Sequence, residues 1–349
     1  MKKKILIILC IVIAALAVFI LKTFRDAGEF LTIAPHSTCT CVKVNNAPGA
    51  EDIAIDNSTG TAFVSSFDRR SFFKGRFIQG AVFAYNLEGR PALKNLTADL
   101  KFEFSPHGIS FYKGTDGRKY LFVINHRRIK NYIEIFEFKN NALVHLESVT
   151  GDMVISPNDV AASGPRQFYI TNDHGSKSDI GRQLEDYLQL SRANVVYYDG
   201  KEFRIVADGL GYANGIWVDG DGKRVYMATI TGKKFYAYDR SADGSLKSVA
   251  EVPLGTGGDN IDVDGKGVIR VAGHPKLLTF TRHAKDEKNK APSQILEVVR
   301  EPGGGYSFRE IYLNPGDEIS AASVGAVYKN RILIGSVFEN FFLDCTMKQ

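Results

Sequence analysis

The chain has 349 residues, 44% of them apolar, enough for one large core. Its net charge is +5, and Lys2, Lys3 and Lys4 supply three of those charges. With the remainder near balance and no basic stripe or acidic block, nucleic acid is excluded as the expected partner.

Those lysines precede an uncharged apolar run from Ile5 to Leu21, which Lys22 closes. Seventeen residues lie at the short end for a spanning helix. Residues 1–22 therefore read as a signal-anchor or transmembrane segment. A cleaved signal peptide is the alternative, with Ala15-Leu16-Ala17 as the small-residue pattern, but Val18 to Leu21 carry the apolar run past it. The basic flank places the body outside the cytoplasm, membrane-anchored, or secreted if the segment is cleaved. Residues 23–38 mix Phe24, Phe30, Leu31 and Ile33 with Arg25, Asp26 and Glu29, and read as a linker or a short amphipathic segment.

From residue 39 to residue 349 one unit recurs. A polar pair precedes a short apolar run, a turn and a second apolar run. The pairs are Glu51-Asp52, His107-Gly108, Asn158-Asp159, Asn214-Gly215 and Asp259-Asn260. A sixth hairpin, Ala326 to Ile334, lacks an acid or amide in its leading residues Ser323-Val324-Gly325. Alternating runs bounded by Gly, Asp and Asn are β-hairpins, and a repeat of ~45–60 residues suits propeller blades. The expected fold is all-β, a six-bladed β-propeller behind an N-terminal anchor helix. Outer strands are expected at Val82–Tyr85, Ile133–Phe138, Val195–Tyr198, Phe235–Tyr238 and Ile295–Val299. A helix over Arg182–Leu190 is expected as a lid near the channel mouth. Cys39 and Cys41 lie before the first hairpin and Cys345 after the last, so a bridge from that pair to Cys345 would lock the ring.

In a propeller the first strand of each blade lines the central channel. Glu51, His107, Asn158, Asn214, Asp259 and Asn260 then gather at one mouth. The acids and amides are hard oxygen donors that suit Ca²⁺, not zinc. Asp52 and Asp159 are second members of their pairs. They form either a deeper cation site, with a backbone carbonyl near Ile109, or buried acids satisfied by backbone N–H groups. His107, His126, His174 and His274 all stand beside hairpin ends and supply candidate proton chemistry.

Pro106-His107-Gly108-Ile109-Ser110, Asn125-His126, Pro157-Asn158-Asp159-Val160, Phe168 to His174, Ala213-Asn214-Gly215-Ile216 and Asp259-Asn260-Ile261 strongly resemble the serum paraoxonase/arylesterase family. The resemblance runs in order from about Cys39 to Cys345. It implies a six-bladed propeller with two calcium ions, one catalytic and one structural. Glu51, Asn158, Asn214, Asp259 and Asn260 would hold the first; Asp52, Asp159 and the Ile109 carbonyl would hold the second. His107 matches the family's proposed base and His126 its partner. Family members hydrolyse lactones, aryl esters and, in some cases, organophosphates, and keep an uncleaved hydrophobic N-terminus. Tyr212, Val337 and Phe338, with His174 and His274, are the expected pocket. The expected disulfide is Cys39–Cys345, with Cys41 as the alternative to Cys39, because this chain has two cysteines where the family has one. The loop around Phe67-Asp68-Arg69-Arg70 departs from the family and leaves the substrate range open. The function expected is a calcium-dependent hydrolase of small-molecule esters and lactones. The alternative is a membrane-anchored propeller without catalysis, a chaperone or interaction module with structural calcium.

Overall fold

A computed structural model describes residues 2–89 and 91–348. Six antiparallel sheets follow one another along the chain. Their first strands are Ala50–Asp56, Pro106–Lys113, Pro157–Ala162, Ala213–Val218, Gly257–Val263 and Ala322–Tyr328. Each packs beside the first strands of both neighbouring sheets, and the last packs beside the first. The ring is closed, and the molecule is a six-bladed β-propeller.

The core is divided among the six blade interfaces. Phe63, Phe104, Ile109 and Phe136 fill the interface of blades one and two. Phe122, Phe168 and Tyr198 fill that of blades two and three. Equivalent clusters follow around the ring to Ile53, Val64, Val324 and Phe342, which join blade six to blade one. Full burial of such a side chain contributes roughly 1.5–3 kcal/mol, so each blade is held by its neighbours. The aromatic runs expected as outer strands are third in their blades. Fourth strands lie outside them, such as Ala142–Val149 and Leu246–Pro253, with alternate residues exposed. Their polar, half-solvated composition hides them in the sequence.

In all six blades the first two strands lose register at the start of the first strand. The shifts fall between Ala50 and Asp52, Pro106 and Ile109, Pro157 and Val160, Ala213 and Ile216, Gly258 and Ile261, and Ala322 and Val324. A bulge re-aims side chains that simple alternation would send to opposite faces. It occurs at the recurring polar pairs.

Blade six takes its outermost strand, Cys39–Asn45, from the N-terminal side and the rest from the C-terminus. Cys41 stands directly opposite Cys345 and is bonded to it. This corrects the expected Cys39–Cys345 pairing. Cys39 lies two residues along, opposite Met347, and keeps a buried free thiol. Register across the closing strands decides between two cysteines that sequence spacing leaves equivalent.

Helix α1 spans Lys2–Asp26 with no residue buried, long and apolar enough to cross a membrane. Residues 27–38 then join the propeller. The Ala27 carbonyl accepts from Leu277 N, and the Glu29 carboxylate accepts from Thr279 and Arg282. Gly28 has φ +77°, and a Cβ there would meet the Pro275 carbonyl oxygen at 2.0 Å, so glycine is required. His36–Ser37 adds a fifth strand to blade five. Three further helices, α2 (Arg69–Phe73), α3 (Asp179–Leu188) and α4 (Leu277–Lys285), lie in the loops after the second strands of blades one, three and five. Those loops open at the end of the channel that carries the polar pairs, because each second strand ends opposite the start of its first strand. The helix expected over 182–190 is α3. It begins earlier because the Ser178 side chain accepts from Gly181 N and caps it.

Candidate active site

The bulged strand starts bring Glu51, Asn158, Asn214, Asp259 and Asn260 to one end of the channel, each at most 4% exposed. Four of the five leave a buried oxygen without a hydrogen-bond partner: Glu51 Oε2, Asn158 Oδ1, Asn214 Oδ1 and Asn260 Oδ1. The amide hydrogens explain the orientation. Asn260 Nδ2 donates to Glu51 Oε1 at 2.8 Å, and Asn158 Nδ2 points to Asp173 Oδ2 at 3.4 Å. The free oxygens are thus the ones turned away from protein donors. Leaving a buried acceptor unpaired costs about 1–3 kcal/mol, so four at one place mark a site built for something else. Carboxylate and amide oxygens without sulfur form a donor set for a hard divalent cation. In blade six, where the sequence shows no acid or amide, Ser323 Oγ donates to the Glu51 carbonyl. His274 is a buried partner of the ring: its Nε2 lies 2.7 Å from Asp259 Oδ2.

Burial opposes ionisation of Glu51, but the His107 and Arg69 side chains outweigh it and hold its carboxyl below the usual range. Burial raises Asp259, with His274 opposing. Asp52 accepts from Ile53 N and Ile109 N at 2.8 and 2.7 Å. Asp159 accepts from Val160 N and Ile216 N at 2.7 and 2.8 Å. Burial pushes both carboxyls well above the ordinary range; Asp159 and Glu51 push Asp52 further, and Glu51 and Asp259 do the same to Asp159. The backbone bonds expected of satisfied acids are present, yet the pair remains a concentration of like charge.

The two histidines meet. His107 Nδ1 lies 2.8 Å from His126 Nε2, and His126 Nδ1 lies 2.9 Å from Asn131 Oδ1. Asn131 Nδ2 donates to the Ile155 carbonyl, which turns its oxygen toward His126. His126 then carries its proton on Nδ1 and accepts from His107 Nδ1–H. In the neutral ring the lone pair of His107 is left on Nε2, 3.6 Å from Glu51 Oε1; only the ring protonated at Nε2 attracts that carboxylate and favours its ionisation. Burial pulls His126 down to about 4, with the His107 and Arg69 side chains adding to it, so it is neutral at ordinary pH. Asn131 sits across a turn from His126 and carries no sequence signal of its own.

Asp173 links ring and lid. It accepts from Ser156 Oγ, and its Oδ1 lies 2.7 Å from His174 Nδ1. His174 Nε2 reaches Asp186 Oδ1 on α3 at 3.0 Å. The Tyr212 ring packs edge-on to His174 at 4.9 Å, from a backbone with φ +56°. Val337 and Phe338 are half-buried at the same mouth. Phe338 packs against Phe280 of α4 and beneath the Arg70 guanidinium. The Arg69 side chain, 11% exposed, lies with Nη2 4.0 Å from Glu51 Oε2.

A model of the family described as Arylesterase matches residues 82–347. The chain belongs to the arylesterase family. Serum paraoxonase/arylesterase 1 of Rattus norvegicus is 34% identical over 91% of each chain. Serum paraoxonase/arylesterase 2 of Gallus gallus is 35% identical over 93% of this chain and 94% of its own. Among solved structures, a luciferin-regenerating enzyme superposes with TM-score 0.56 at 14% identity, covering 88% of this chain and 95% of its own. Regucalcin from Agrobacterium tumefaciens superposes at 0.51 and 13% identity, over 91% and 96%. These distant structures share the propeller of this arylesterase. The family match takes in His107, His126 and all the ring residues beyond blade one. Glu51, Asp52 and the Arg69 loop precede it.

Proposed function

We propose that this member of the arylesterase family is a calcium-dependent carboxylic-ester hydrolase of lactones and aryl esters, with organophosphate esters as a further class. The four unpaired oxygens carry the reading, together with a histidine lone pair facing the same ring. Glu51, Asn158, Asn214, Asp259 and Asn260 would hold the catalytic ion; Asp52, Asp159 and the Ile109 carbonyl would hold the structural one. Calcium held there would supply Lewis-acid stabilisation of the negative charge that develops on the ester oxygen. His107 Nε2 takes the proton from the attacking water. His126, anchored by Asn131, holds His107 in the tautomer that leaves Nε2 unprotonated. Tyr212, His174, Val337 and Phe338 form the wall against which the acyl or leaving group packs, and α2, α3 and α4 limit water. His274 holds Asp259 in place.

The relatives' names support ester hydrolysis, and the neighbour regucalcin is described as a calcium-binding protein. A calcium ion with a purely structural role gives no reason for an oriented imidazole pair, which disfavours the non-catalytic reading. The exposed apolar α1 and the Cys41–Cys345 bond support a membrane-anchored, extracytoplasmic body, or a secreted one after cleavage. The test is turnover of phenyl acetate and δ-valerolactone by the full chain, before and after chelation and after calcium is returned. Loss on chelation and recovery on return are expected. No turnover of either substrate with calcium present, or turnover indifferent to chelator, overturns the reading.

A further inference from the structure

Two adjacent arginines in the loop above the ring differ in how they are used. Arg70 is a staple. Its Nη1 donates to the Phe338 carbonyl at 2.9 Å and its Nη2 to the His283 carbonyl at 3.0 Å, tying α2 to α4. Arg69 points the other way, into the mouth of the ring. Among the described residues its guanidinium makes one long hydrogen bond, Nη1 to the Gly49 carbonyl at 3.4 Å, and approaches one carboxylate, Glu51, at 4.0 Å. A guanidinium offers five donors in a rigid fork matched to a carboxylate. Arg69 is largely buried and leaves most of that fork unused. Its placement is rigid. Asp68 Oδ1 accepts from Ser71 N at 2.9 Å and its Oδ2 from Ser71 Oγ at 2.6 Å, which fixes the first turn of α2. The Arg70 staple fixes the other side.

When Glu51 and Asp259 serve a divalent cation, as in the function proposed above, they cease to balance Arg69. A buried cation then stands beside another with an open bidentate face. Such a group is stabilised by an anion that arrives with the substrate. We propose that Arg69 is a specificity-determining residue, and that the preferred substrates are lactones or esters bearing a carboxylate that pairs with its guanidinium. The inference rests on the hydrolase reading. It adds a charge requirement that the apolar pocket residues Tyr212, Val337 and Phe338 do not supply.

The test compares 5-oxotetrahydrofuran-2-carboxylate with its neutral carboxamide, using the calcium-loaded full chain. Charge-assisted hydrogen bonds of the usual strength correspond to roughly 10–100-fold discrimination. Wild type is expected to favour the carboxylate by that factor in kcat/KM, chiefly through KM. Arg69→Met should collapse the ratio toward one, and Arg69→Lys should restore part of it. Calorimetric titration with the product 2-hydroxyglutarate reads the same site without turnover, and its affinity should fall by a similar factor in Arg69→Met. A wild type indifferent to the charge, or an Arg69→Met variant with unchanged ratio and product affinity, overturns the proposal. If Arg69→Met fails to fold, the wild-type ratio and the Arg69→Lys variant decide. Failure of the hydrolase reading is distinguishable, because neither lactone nor phenyl acetate would then be turned over.

Discussion

A single imidazole nitrogen carries the proposed chemistry, and its state depends on three residues in series. Asn131 fixes the proton on His126, and His126 fixes the proton on His107. His107→Gln removes the base and leaves the oxygen ring untouched. Hydrolysis of δ-valerolactone should fall by roughly 10²–10⁴-fold, the range for a lost general base, while calcium affinity measured by titration changes little. Near-normal turnover on every lactone and ester tested would move the proton to another group. Asp259→Ala acts on the other half of the centre. It removes one of the two ring carboxylates and leaves His274 Nε2 without its partner. Activity should vanish and calcium binding should weaken together. An active variant with intact calcium affinity would refute the ring as the metal centre. The His107 and ring positions were legible because each is a polar residue at a fixed offset before an apolar run. Asn131, Asp173 and Arg69 were not, since they reach the site from the start of an outer strand, a loop and the start of α2, whose placement depends on the folded blades.

At the scale of elements, α3 is fastened to the ring through charge. Burial opposes protonation of His174, but the Asp173 and Asp186 carboxylates outweigh it and push the imidazole up to about 10. The folded state therefore binds a proton more tightly than the unfolded state, whose histidine titrates near ~6.5. The resulting stability is complete below about pH 6.5 and is lost as pH rises through about 10. Asp186 is 42% exposed, so solvent screens its share. The fall in Tm between pH 7 and 10 should be shallower in His174→Phe than in wild type; identical slopes would mean that the pair adds nothing. The strand that closes blade six gives a second prediction. Cys41→Ser and Cys345→Ser each open a bridge spanning 304 residues, which the chain-entropy model values at ~6 kcal/mol, and should lower Tm clearly. Cys39→Ser should leave Tm nearly unchanged, because that thiol is already free. The reverse ranking would place the bridge at Cys39.

Across the whole molecule, the channel concentrates buried carboxylates from blades one, three and five at one end. Burial and mutual repulsion raise Asp52, Asp159 and Asp259. Six blades held only by their neighbours meet at that point, so a cation there stabilises the ring as a unit. Chelation should therefore lower the Tm of the full chain as well as its activity, and calcium should restore both. Loss of activity with no change in Tm would confine the cation to a catalytic role. The docking of residues 27–29 on α4 also places the exit of α1 at the mouth of the channel, so that helix and the site share one face.

The number of blades, their inner strands and the ring of oxygen donors follow from the sequence alone. Hairpin periodicity and the offset of a polar pair from an apolar run are local properties, written residue by residue from Glu51 to Asn260. The fourth strands, the pairing of Cys41 with Cys345 and the join of residues 27–38 to blade five were decided by tertiary structure. Each depends on which segments lie side by side after hundreds of residues of intervening chain. The same holds for the bulges that turn both members of a polar pair toward the channel, and for Arg69, whose charge gains meaning only when α2 is folded over Glu51.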